Sequence, residues 1–223
     1  MAETVLITGA SGLLGRALVR EFAGRGLMVL AQCHRHRGEE SGSVRWLVGD
    51  FSSAGGTQAF LRRHAQAIAR CSCVVHNYGP IAEKPTAEVT GSDLVAAFQV
   101  QLQPALDITR FLLAQGTLRS ALFIAFEDTG RVRAFRKVLA FAMAKNALPL
   151  LSRSLAEVHP GARFNVLSPP TLAGAAIRHP RVKPVAPEKV AARACRIVLG
   201  RGSGRHYRWP AAAGRIARRK THG

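Results

Sequence analysis

Short apolar runs alternate along the chain with longer stretches whose apolar positions recur every three to four residues. "TVLITG" (Thr4 to Gly9) reads as a buried strand, and "LLGRALVREFAGRG" as a helix closed by glycine. "LMVLAQCH" and "RWLVGDF" are the next two strands, and "TQAFLRRHAQAIAR" is an amphipathic helix. "CVVHNYG" is a fourth strand. It leads into one long helix, "SDLVAAFQVQLQPALDITRFLLAQG", with a kink expected at Pro104. A fifth strand, "SALFIAF", precedes a helix from about Arg133 to Val158. The sixth strand is "ARFNVLSPP", followed by the helix "PEKVAARACRIVLG" and a short last strand, "RHYRWP". Strands that alternate with helices make βαβ units. The predicted fold class is therefore α/β, a doubly wound parallel sheet with helices on both faces. No repeat or low-complexity linker divides the chain. The expected organisation is one domain over residues 1–210, with a basic tail over 211–223.

The chain has 223 residues and is 48% hydrophobic, enough for one substantial core. No apolar run reaches the ~18 residues of a membrane span. "ETVLITGASG" enters a strand pattern at once, without the form of a signal peptide. Cys33, Cys71, Cys73 and Cys195 fit no disulfide framework, and Cys71 and Cys73 lack the spacing of a metal pair. The expectation is a cytoplasmic protein with reduced thiols, no membrane segment and no metal. Charge changes the picture: 32 Lys and Arg stand against 13 Asp and Glu, a formal +19. From Val158 onward there are 14 basic residues and one acid, Glu188. Such a field attracts polyanions. "GRIARRKTHG" has no interleaved aromatics and no nucleic-acid motif, so specific nucleic-acid binding is not expected.

The sharpest local signal is "TGASGLLG" (Thr8 to Gly15), between the first strand and the first helix. Gly9, Gly12 and Gly15 recur at every third position. Glycine permits a tight turn and close approach of backbone N–H groups to a pyrophosphate, and a helix N-terminus favours its charge. The dinucleotide-binding candidates are Thr8, Gly9, Ser11, Gly12, Leu13, Leu14 and Gly15, and the fold expected is Rossmann-like. An NAD site places an acid at the end of the second strand to bind the ribose 2′-hydroxyl. Here that region reads "AQCHRHRG", with no carboxylate before Glu39. A cationic cluster suits a 2′-phosphate, so NADP(H) is the expected cofactor. Arg35 is the first candidate and His34 and Arg37 are alternates. Asp50 closes the third strand, where a carboxylate can meet the adenine amino group.

From Thr4 to Pro210 the chain resembles the short-chain dehydrogenase/reductase family. "TGASGLLG" is similar to the cofactor loop of its extended and atypical branches. Asp50-Phe51 resembles its adenine-binding pair. "HNYG" (His76 to Gly79) resembles its NNAG motif, with Asn77 and Gly79 kept. "RFNVLSPPT" resembles the segment usually written RVNxxxPG, with Pro170 where glycine is usual and with Pro169 and Thr171 on the cofactor side. The resemblance implies a tetrad of Asn, Ser, Tyr and Lys. By register, Gln101 stands at the asparagine, Glu127 or Asp128 at the serine, Phe141 at the tyrosine and Lys145 at the lysine. In the family, tyrosine passes the proton, while lysine lowers its pKa and holds the nicotinamide ribose. Phenylalanine has no proton to give, and losing a general acid costs on the order of 10²–10⁴ in rate. A carboxylate in place of serine would also repel a developing oxyanion. The only tyrosines are Tyr78 and Tyr207. Tyr78, Glu127 and Asp128 are the candidates for a relocated acid. Water is a further proton source for an activated C=N, C=C or pteridine-like acceptor.

The family also covers its substrate with a helical insertion. Here only "TLAGAAIRHPRVKPVA" separates Pro170 from the helix at Pro187, which suits an open site for a small or anionic substrate. Three functions compete: an NADPH-dependent oxidoreductase with an altered proton donor, an NADP(H)-binding sensor acting through a protein partner, and a polyanion-binding scaffold. The resemblance further implies a homo-oligomer, dimer or tetramer, paired through the helices Ser92–Gln115 and Arg133–Val158.

Overall fold

A computed structural model of the chain describes residues 3–53, 55–126, 137–175 and 183–209. Seven strands form one sheet: β1 (Thr4–Ile7), β2 (Met28–Cys33), β3 (Val44–Val48), β4 (Cys73–His76), β5 (Ser120–Ile124), β6 (Arg163–Ser168) and β7 (His206–Arg208). All pairs are parallel, in the order β3-β2-β1-β4-β5-β6-β7. The chain steps outward from β1 to β3, then returns to place β4 on the other side of β1. That reversal opens a crevice at the carboxyl ends of β1 and β4, where open α/β sheets bind ligands.

The helices are α1 (Leu13–Gly24), α2 (Gly56–Ile68), α3 (Gly91–Gln101), α4 (Gln103–Ala114), α5 (Leu139–Val158) and α6 (Pro187–Leu199). A parallel sheet covered on both sides needs apolar residues on both faces of each strand. Val5, Ile7, Val29 and Ala31 pack under α1 and α6 with Phe22, Val190 and Cys195. Leu6, Leu30, Val74 and Phe123 pack under α2, α4 and α5 with Phe60, Ile108 and Leu148. The four cysteines are buried free thiols. No helix among the described residues is long and apolar enough to cross a membrane.

The single long helix expected after β4 is in fact two. α3 ends at Gln101, α4 begins at Gln103, and Pro104 lies in the first turn of α4. Proline has no N–H for the carbonyl four residues back, and its ring clashes with that carbonyl. In a helix's first turn neither defect costs anything, so the chain restarts there instead of bending. The helix expected from Arg133 is described from Leu139, and it continues through Pro149. Residues 133–136 lie outside the described residues, as does the basic tail over 211–223.

α3 opens with a capping box. The Asp93 carboxylate accepts the Thr90 N–H at 2.7 Å, and the Thr90 hydroxyl accepts the Asp93 N–H at 3.4 Å. Lys84 adds an ion pair to Asp93 at 2.7 Å. Because α3 delivers Gln101 to the site, this cap sets the helix's starting point. Thr90→Ala is expected to lower stability by about 1 kcal/mol, read as a lower urea midpoint at unchanged m-value.

Candidate functional site

β1 ends in polar atoms that tie it to the turn after β4. The Thr8 hydroxyl accepts the backbone N–H groups of Asn77 and Tyr78, both at 3.0 Å. Asn77 returns a bond from its Nδ2 to the Gly9 carbonyl at 3.1 Å. Gly9 turns at φ +62°, and a Cβ there would stand 2.9 Å from the Tyr78 Cα. A Cβ on Gly15 would collide with the Gly9 carbonyl oxygen. Both positions therefore need glycine, one for conformation and approach, the other for approach alone. Gly12 is the N-cap of α1 and offers no side chain to its first turn. The N–H groups of Leu13 and Leu14 are thus left for an anion at the helix N-terminus. Leu13 is exposed beside this loop, whereas the Leu14 side chain is buried in the core. Ser11 is half-buried at the turn.

One organising residue escaped the sequence reading. Gln32, fully buried in β2, accepts the Gly9 N–H at 2.8 Å and donates to the Gly49 carbonyl at 2.7 Å. Its own carbonyl accepts the Ala10 N–H at 2.8 Å. It clamps the glycine loop to the end of β3. The signal was present as a lone amide in the apolar run "MVLAQC", because a buried amide must find partners.

At the adenosine end, His34 and Arg35 are exposed just beyond β2. His34 Nε2 stands 3.8 Å from the Asp50 carboxylate. Asp50 accepts the Ser52 hydroxyl at 2.6 Å and the Ser52 N–H at 2.9 Å, and these bonds hold its pKa below the usual carboxylate value. Arg35 makes no ion pair with a carboxylate among the described residues. Phe51 leaves only its backbone for an adenine contact. Its ring is buried, edge-on to Phe60 at 5.1 Å and to Tyr78 at 5.3 Å, so the side chain is core.

That packing also bears on Tyr78 as a relocated acid. Its ring is half-buried against Phe51, and burial, with Asp50 nearby, raises its pKa above the ordinary phenol value. The backbone of Tyr78, by contrast, belongs to the lysine site. Lys145, buried on α5, donates from Nζ to the Ile124 carbonyl at 3.1 Å and to the Tyr78 carbonyl at 3.2 Å. An ammonium has three donors, so one N–H remains for a ligand. Burial lowers the Lys145 pKa to about 8. Gln101 lies against the same spot: a Cβ on Gly79 would collide with Gln101 Oε1 and crowd Lys145 Nζ. Gln101 Nε2 donates to the Pro80 carbonyl at 2.8 Å, while its buried Oε1 has no partner. An unpaired buried carbonyl oxygen beside a spare ammonium N–H is the kind of polar pair a bound hydroxyl completes.

Phe141 is buried one turn before Lys145, edge-on to Phe126 at 5.7 Å, with Lys145 Nζ 6.0 Å from its ring centre. The register that placed Phe141, Lys145 and Gln101 together therefore holds in space. Glu127 and Asp128 lie outside the described residues. Pro169 and Thr171 follow β6 half-buried, and the Thr171 carbonyl accepts the Val185 N–H at 2.9 Å, pinning this loop back against the start of α6. His76 is structural. It is buried, stacked on Phe123 at 4.9 Å and bonded to the Thr109 hydroxyl at 2.9 Å. Burial, and then the Lys145 charge, push its pKa down to about 3.

The site fits a nicotinamide dinucleotide by its own features: a glycine cradle that a Cβ would fill, uncapped N–H groups at α1, and an orphaned amide oxygen beside Lys145. Comparison with known proteins agrees. Residues 3–181 match the model of the short chain dehydrogenase family. An uncharacterized oxidoreductase of Bacillus subtilis is 25% identical over 175 residues, 74% of this chain and 66% of that protein. A tropinone reductase homolog of Arabidopsis thaliana is 28% identical over 188 residues, 77% of this chain and 70% of that protein. The chain thus spans about two thirds of these relatives' length. Among solved structures, a short chain dehydrogenase of Leptospira borgpetersenii with bound NAD+ superposes with a TM-score of 0.80 at 15% identity, over 93% of this chain and 91% of that one. An oxidoreductase of Burkholderia thailandensis gives a TM-score of 0.75 at 22% identity, over 93% and 91%. At these identities the likeness is one of fold.

Two outcomes follow from this geometry. Gln32→Leu strands the Gly9 N–H and the Gly49 carbonyl, and is expected to cost about 1–3 kcal/mol for each group left unpaired in the interior, measured by urea unfolding. His76 keeps its neutral form in the folded state down to about 3, whereas its ordinary value is 6.5. Between those values the unfolded chain binds the extra proton. The stability this group contributes is therefore full above about 6.5 and falls as pH drops towards 3. Urea midpoints at stepped pH read this slope, and His76→Gln is expected to flatten it.

Proposed function

The chain belongs to the short-chain dehydrogenase family, and on that premise we propose that it is an NADPH-dependent oxidoreductase whose proton does not come from a tyrosine. The observation that carries this reading is Lys145, buried at the crevice with two of its three N–H donors held by the chain and one left over. A buried ammonium with no carboxylate partner is costly to keep, and a ligand hydroxyl is what its third donor suits.

The residues divide the work along the crevice. Gly9, Gly12 and Gly15 let a pyrophosphate approach the N–H groups of Leu13 and Leu14. Arg35, with His34 beside it, receives a 2′-phosphate, for which a guanidinium is geometrically matched. Asp50 lies near the adenine side, although Ser52 and His34 already engage its oxygens. Asn77 and Thr8 hold the turn that presents the Tyr78 carbonyl to Lys145. The bound dinucleotide would supply the hydride. Lys145, with a pKa of about 8, carries a proton at neutral pH and can release it to an acceptor nitrogen or carbon. A small C=N, C=C or pteridine-like acceptor suits this arrangement, because a ketone is left without the tyrosine that would protonate its oxygen as hydride arrives. The cell interior, where NADPH is held, is the location this reading requires.

Phe141 supports a second reading, in which the chain binds NADP(H) without turning it over and acts through a partner. Its ring occupies the tyrosine position and packs on Phe126. We also propose assembly through the face of α3 and α5, where Val95, Phe98, Met143 and Leu150 are exposed.

NADPH is expected to bind at least tenfold tighter than NADH at low salt, and Arg35→Ala to remove that preference, by calorimetric titration. No binding of either nucleotide would sink both readings. Phe141→Tyr is expected to raise ketone reduction by on the order of 10² to 10⁴. If Lys145 is the donor, kcat/KM for an imine acceptor is level below pH 8 and falls above it. A nucleotide that binds yet is never oxidised, with any imine, enone or pteridine acceptor, would favour the sensor.

A further inference from the structure

Four arginines, Arg193, Arg196, Arg201 and Arg205, line one open pocket of about 580 Å³ with Ile197 and Tyr207. The pocket lies at the β7 edge of the sheet, where α6 ends and β7 begins. The glycine loop sits at the other end, beyond the point where β1 finishes. Arg193 and Arg196 lie three residues apart on α6, Arg201 follows its end, and Arg205 lies on the approach to β7. Only Arg193 has a described side-chain partner, the ring of Trp209 at 5.1 Å. None of the four pairs with a carboxylate among the described residues. Glu188, the acid of α6, is taken by Arg20 at 3.1 Å. A fifth guanidinium, Arg163, adds to the same end: it donates to the Val198 carbonyl at 3.1 Å and keeps a buried Nε without a partner.

We propose that this pocket is an anion site for a compact ligand carrying two or more adjacent phosphate groups. Its size is that of a small-molecule pocket. Guanidinium groups match phosphate oxygens with paired N–H bonds and stack on rings and backbone while doing so. Four arginines around one pocket, none paired with a carboxylate among the described residues, make it a site of positive charge that favours an anion. Charged side chains also guard a free sheet edge against mispairing. That role needs charges along β7, whereas three of these four come from α6 and the turn after it. A second copy of a chain with formal charge +19 brings no obvious counter-charge to this edge. The concave arrangement favours a compact anion over an extended polymer.

The test is calorimetric titration of the full chain with sodium tripolyphosphate, at low and raised salt. The expected result is saturable binding of one equivalent, weakened by salt. Arg193→Gln with Arg201→Gln is expected to raise Kd on the order of 100-fold, while Arg35→Ala leaves it unchanged. Arg201→Gln alone, at an exposed position, serves if the double variant does not fold. Citrate separates phosphate recognition from bare charge: equal affinity for citrate would overturn the phosphate assignment. So would tripolyphosphate binding that the double variant leaves unchanged, whether or not Arg35→Ala weakens it, since the anion would then sit outside this pocket, at the nucleotide crevice or elsewhere. Duplex DNA of increasing length is the last arm. Affinity that grows with length and ignores both arginines would replace the pocket with a diffuse polyanion surface.

Discussion

The close approach of β1 and β4 at their carboxyl ends is the constraint from which the rest of the site follows. Thr8 and Gly9 direct their polar atoms sideways into the turn at Asn77 and Tyr78, and Gln32 anchors the same loop from the other side. Buried backbone groups must be paired, and here the pairs run between strands that are far apart in sequence. Gly9 and Gly15 are glycines because no side chain fits once those bonds are made. The turn they hold then presents the Tyr78 carbonyl to Lys145. One network of hydrogen bonds therefore shapes the glycine cradle and aims the lysine.

Lys145 sets the chemistry that remains. Taking an ammonium out of water disfavours its charge, and two backbone carbonyls offset only part of that cost. The result is a lysine near its titration point in the range where enzymes work. Beside it Phe141 is apolar and Gln101 leaves an oxygen unmatched. A site with tyrosine at position 141 would share the proton between two groups. With phenylalanine there, position 141 has no proton to give, and Lys145 is the titratable group beside it.

Charge is distributed unevenly over this scaffold. Five of the described carboxylates are engaged: Asp93 with Lys84, Glu21 with Arg25, Glu188 with Arg20, Glu3 with Arg119, and Asp50 with Ser52 and His34. The arginines of α6 are left over. Excess like charge keeps a protein soluble but works against its compact state.

The periodic alternation of apolar strands and amphipathic helices determined the doubly wound sheet, because a parallel sheet buried on both faces admits few other patterns. The glycine trio lies at the junction of β1 and α1, and Lys145 and Gln101, found by register with Phe141, lie close together in space. Four things depended on tertiary structure. Pro104 restarts a helix instead of kinking one, since the cost of a missing N–H depends on where the first turn falls. Phe51 is core and Gln32 is a clamp, because whether a side chain faces ligand or neighbour depends on distant strands. The arginine pocket arises from α6 and the approach to β7, whose residues converge only when the sheet is assembled. The sequence determined which local elements form, through periodicity and backbone sterics. Only the fold decided which polar groups face one another, because those pairings are set by contacts across the sheet.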